Sequence, residues 1–87
     1  MQKDDSAVHK RLAALLTQVA DGTLTARAAL DAIEQWTDIR RDDTLLNDGY
    51  HALYHFDADQ DIRARDVPYA VRQIEGLRRL AAKLDAQ

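Results

Sequence analysis

The chain has 87 residues, 46% of them hydrophobic, with no cysteine, one proline, three glycines and a formal net charge of −3. That length holds one domain with a modest core, and the lack of cysteine excludes both a disulfide framework and a thiolate metal site. The acidic balance argues against non-specific nucleic-acid binding, which needs a basic surface, and no apolar run reaches the roughly 18–20 residues of a membrane span.

Scarce Gly and Pro with abundant Ala and Leu favour helices, and the expected fold is all-α, a compact antiparallel four-helix bundle forming a single domain over residues 1–87. Val8, Leu12, Leu15, Leu16 and Val19 place one apolar stripe on a helix over about 6–20, with Asp4, Asp5 and Ser6 at its start and Asp21-Gly22 at its end. Thr25 reads as the N-cap of a second helix over about 26–36, preceded by Leu24 as a hydrophobic staple. Its inward face is Ala26, Ala29, Leu30, Ile33 and Trp36. The run TDIRRDDT, residues 37–44, has no periodicity and reads as a loop.

A third helix is predicted over about 43–56, with Leu46, Gly49, Tyr50, Leu53 and Phe56 facing the core and Asp48, His51 and His55 facing out. A fourth is predicted over about 67–86. Asp66 stands before it, Pro68 falls in its first turn, and Val71, Ile74, Leu77, Leu80, Ala81 and Leu84 form its stripe. Between these two helices lies the most distinctive segment, FDADQDIRARD, in which Asp57, Asp59 and Asp61 recur two apart. Residues 38–66 as a whole carry eight aspartates against four arginines, so the acidity of the chain resides in its middle.

Chemistry-bearing patterns are few. An EF-hand starting at Asp57 would need Gly at its sixth position and Glu at its twelfth, where Ile62 and Pro68 stand. His51 and His55 lie one turn apart with Asp48 before and Asp59 after, a quartet able to hold a divalent metal, but the favoured reading is two exposed, pH-sensitive histidines beside an acidic loop. Ser6 is the only serine, and there is no Gly-rich phosphate loop or nucleophile–base pair, so the chain is expected to be no enzyme and to carry no cofactor. Arg72, Arg78, Arg79 and Lys83 make a basic strip on the last helix that reads as a solvated face. Tyr54, at the edge of its stripe, is an aromatic anchor candidate beside charge. Three carboxylates about 6–7 Å apart in extended chain would approach the phosphate repeat of a single-stranded polyanion.

The order of these features resembles the colicin D immunity family and related colicin-like self-protection proteins. The likeness rests on LTQVADGTLTARAAL (residues 16–30), ALYHFDADQDIR (residues 52–63) and LRRLAAKL (residues 77–84). The resemblance implies a helical bundle that presents carboxylates to the basic cleft of a tRNA-cleaving toxin. Residue by residue it falls on Asp57 and Asp59, with Asp61 adjacent. A further acid of the family would fall near Tyr54, where this sequence has none, and Arg40 and Arg41 in the linker also depart from the pattern.

The expected function is therefore that of an inhibitory interaction protein, with Asp57, Asp59, Asp61, His55 and Tyr54 contacting a basic ribonuclease toxin domain. No nucleic-acid or membrane partner is expected. The opening MQKDDSAVHK lacks the layout of a secretory signal, so a cytoplasmic location is expected. The rivals are a non-catalytic helical adaptor or self-associating domain, and a metal-binding protein using His51 and His55.

Overall fold

Helical periodicity and caps divide the chain much as expected. In the computed structural model, which describes residues 5–37 and 42–86, the helices are α1 (Asp5–Asp21), α2 (Ala26–Glu34), α3 (Thr44–Ala58), α4 (Gln60–Arg65) and α5 (Val67–Asp85). No strand occurs among the described residues, and the fold is all-α. The described helices number five rather than four, because the acidic segment after Phe56 is itself helical. α2 stops at Glu34, two residues short of Trp36, whose N–H bonds to the Ile33 carbonyl at 3.0 Å in a tightened last turn. Residues 38–41 of the expected loop, Asp4, and the side chains of Asp5 and Ser6 lie outside the described residues.

The helix ends follow from particular side chains. Gly22 has φ +82, and the Gly22 and Thr23 N–H groups bond to the Val19 and Gln18 carbonyls at 3.1 and 3.0 Å, which closes α1 in a Schellman motif. Thr25, Asp43 and Asp66 cap α2, α3 and α5, each side chain accepting a backbone N–H three residues on at 3.1 Å. Pro68 sits in the first turn of α5.

The buried stripes meet in one core. Leu12, Leu16, Leu30, Leu53, Leu77 and Leu84 are its largest fully buried side chains, and each contributes about 1.5–3 kcal/mol of transfer energy. Lys10 donates to the Asp85 carbonyl at 3.1 Å, and Arg78 meets Asp21 at 2.8 Å, so α1 and α5 lie side by side in opposite directions. Since the Asp21 end of α1 lies at Arg78, the first turns of α5 run past it. Val71, expected in the buried stripe, is for that reason 46% exposed, and Val67 is 71% exposed.

α1 and α3 pack tightly at Gly49, where an added Cβ would lie 2.6 Å from Cδ2 of Leu12. Leu12 is itself 2% exposed, so its side chain must leave its packed rotamer to admit the methyl. We therefore expect Gly49→Ala to lower stability in urea denaturation. Overpacking costs about 1–3 kcal/mol, against a helix-propensity gain of about 1 kcal/mol.

His9 is buried in the same region, where its Nε2 lies 2.8 Å from Asp43 Oδ2. An ionised carboxylate only accepts, so Nε2 is the donor, and Nδ1 is buried without a hydrogen-bond partner. Sequence reasoning passed over this residue, although its spacing to Ala13, Leu16 and Ala20 sets it in the middle of the buried face. Burial raises the Asp43 pKa, but the Leu46 N–H and His9 outweigh it and hold the carboxyl below its ordinary value. A folded-state pKa below the unfolded value of about 3.9 means that the stabilisation is complete above that value. It is lost as pH falls through the folded pKa. Asp43→Asn keeps a capping oxygen and loses the charge. It should cost about 1 kcal/mol at neutral pH, and its deficit relative to wild type should close in urea titrations in acid.

Candidate functional site

The acidic segment does not form an extended row of carboxylates. Asp57 belongs to the last turn of α3, Asp59 joins α3 to α4, and Asp61 lies in the first turn of α4. The 6–7 Å spacing expected for extended chain is absent, because successive residues in a helix advance only about 1.5 Å and point in different directions.

Two of the three aspartates are engaged within the molecule. Asp57 Oδ2 accepts from Arg27 Nη2 at 3.0 Å, tying the end of α3 to the start of α2. The hydrogen bond and charge of Asp57 raise the Arg27 pKa above its ordinary value. Asp59 Oδ2 accepts from the Tyr69 hydroxyl at 2.5 Å and from Gln73 Nε2 at 3.0 Å, so α5 holds it from two positions one turn apart. That hydrogen bond raises the Tyr69 pKa above its ordinary value, since the neutral phenol is the form that donates.

Arg63 completes this cluster. Its guanidinium lies over the Phe56 ring, 3.4 Å from the centroid, and donates to the Phe56 carbonyl and, at 2.9 Å, to Gln73 Oε1. Burial lowers its pKa, while Asp59, Tyr69 and Asp57 act in the opposite direction. The Gln73 amide thus takes a hydrogen bond from Arg63 on its oxygen and gives one to Asp59 from its nitrogen, so its orientation is fixed by charge on both sides. In sequence, Arg63 and Arg65 are the expected partial neutralisers of the three aspartates, and Arg63 is coupled by charge to Asp59 and Asp57. Sequence reasoning did not single out Tyr69, Gln73 or Arg27.

The other predicted site residues face solvent. Tyr54 is 54% exposed, and its ring meets His55 edge-on at a centroid distance of 6.0 Å. His51, His55 and Asp61 are exposed as well. The quartet of Asp48, His51, His55 and Asp59 does not assemble, because Asp59 is turned to α5. Among the described residues no three His, Cys, Asp or Glu groups come together with the geometry of a metal site. No described helix is long and apolar enough to cross a membrane.

Comparison of the chain with family models, curated proteins and solved structures found no match.

Arg63→Ala removes the cation–π contact and two hydrogen bonds. It should cost about 1–3 kcal/mol and raise amide hydrogen exchange selectively across residues 60–66. Arg63→Lys should restore little of the protection, because an ammonium lacks the planar fork that lies on Phe56 and reaches Gln73 together.

Proposed function

We propose that the chain is a non-catalytic inhibitory protein of the immunity type, and that it occludes the basic active-site cleft of a tRNA-cleaving bacterial toxin. The docking surface is the outer face of α3 around Tyr54 and His55, together with the acidic turn into α4. The observation that carries this reading is Tyr54, an aromatic side chain more than half exposed on an otherwise polar helix face, seven residues before the exposed Asp61, which has no ion-pair partner among the described residues. Aromatic anchors flanked by charge are what interfaces concentrate.

The three aspartates divide the work. Asp61 offers a full negative charge. Asp57 and Asp59 hold the turn in place through one oxygen each, and their negative potential adds to the surface without their moving. A fixed acidic surface speeds docking to a cationic cleft and makes the association salt-dependent. The exposed Val67 and Val71 favour a second reading, a helical adaptor that binds through the uncovered start of α5.

Calorimetric titration against a basic ribonuclease toxin domain tests both. On the leading reading Tyr54→Ala and Asp61→Asn each weaken binding by roughly tenfold or more, and affinity drops steeply as salt rises. Heat no greater than dilution with the toxin domain overturns the leading reading and leaves the adaptor reading, in which partner binding is indifferent to salt and is abolished by Val67→Asp or Val71→Asp.

A further inference from the structure

Between α3 and α5 runs a shallow groove of about 160 Å³, floored by Ala52, Phe56, Gly76, Leu77 and Leu80. Its α5 wall is open at Gly76, where an added Cβ would meet nothing nearer than the tip of Arg79 at 4.0 Å. The two banks carry opposite charge. Asp48 stands four residues before Ala52 on α3, and Arg79 three residues after Gly76 on α5, spacings that place each on the same side of its helix as the groove residue. Both are exposed, and neither has an ion-pair partner among the described residues.

α3 and α5 run in opposite directions here. Arg63 joins Phe56 to Gln73, while Ala52, a turn earlier on α3, shares the groove with Leu80, further along α5. Asp48 and Arg79 therefore fall towards the same end of the groove, on opposite banks.

We propose that this face joins two copies of the chain about a two-fold axis running along the groove. Such a rotation preserves height along the groove and exchanges its banks. Asp48 of each copy then meets Arg79 of the other, and one complementary pair becomes two by symmetry. Ala52 and Gly76 let the facing helices approach closely, and the partly exposed apolar floor between the charged banks supplies the area that is removed from water. The self-association does not rest on the inhibitory reading; the two surfaces share His55, which lines the groove, and are told apart by Asp48 and Arg79 on one side and Tyr54 and Asp61 on the other.

Sedimentation equilibrium on the full chain tests the proposal, with circular dichroism to confirm that each variant is helical. Wild type should dimerise with increasing concentration. Asp48→Arg alone and Arg79→Asp alone should each set like charges against each other twice and raise the dissociation constant roughly tenfold or more. An equimolar mixture of the two variants should recover association, because the heterodimer restores both pairs. A wild-type chain that stays monomeric at all concentrations overturns the proposal. So does a dimer that ignores both charge reversals, or one dissolved only by Val71→Asp, which would place the contact on the other side of α5.

Discussion

The guanidinium of Arg63 is the point at which the second half of the molecule is joined. It lies on the ring of Phe56 at the end of α3, belongs to α4, and donates to Gln73 on α5, so that one side chain fixes three helices. Without it α4 itself, Gln60–Arg65, would have few side-chain partners among the described residues, since none of its residues is buried. A six-residue helix cannot sustain itself by backbone bonding alone. Its order comes from the charged cluster of Arg63, Asp59, Tyr69 and Gln73 that pins it to α5.

This arrangement changes what the acidity of the segment means. In sequence, three aspartates two apart suggest a row of equivalent charges. In the fold they occupy three environments: an ion pair with Arg27, a double acceptor site under Tyr69 and Gln73, and free solution at Asp61. Carboxylates that resemble one another along the chain are separated by function once the helix turns them apart. What remains exposed is more mixed: a tyrosine and its neighbouring histidine, beside one carboxylate without a partner among the described residues and the field of two bound ones.

The other half of the molecule is organised by close apolar contact. Leu12 fills the space that a side chain at position 49 would need, and His9 and Asp43 form the one buried polar bridge described between α1 and the cap of α3. A bridge of that kind is a modest source of stability, but it fixes where α3 begins relative to α1. Both contacts lie on helix faces that the apolar periodicity had already marked as inward. What the periodicity did not supply was that a histidine in the middle of such a face would find its acid 34 residues away.

The stripes on α1, α2, α3 and α5, the caps at Thr25 and Asp66 and the left-handed Gly22 were all legible along the chain, because each depends on residues within a few positions of one another. The exposure of Val71 was not, since it depends on where α1 stops alongside α5. Nor was the helical state of residues 57–65, which rests on Tyr69 and Gln73 one or two turns into the next helix. By itself the sequence determined the helical class, the ends of most helices and the location of the acidic segment, through local periodicity and capping. Only the tertiary structure decided which of its carboxylates are occupied and which remain free. Long-range pairs such as Arg27 with Asp57 form only after the apolar stripes have brought distant helices together.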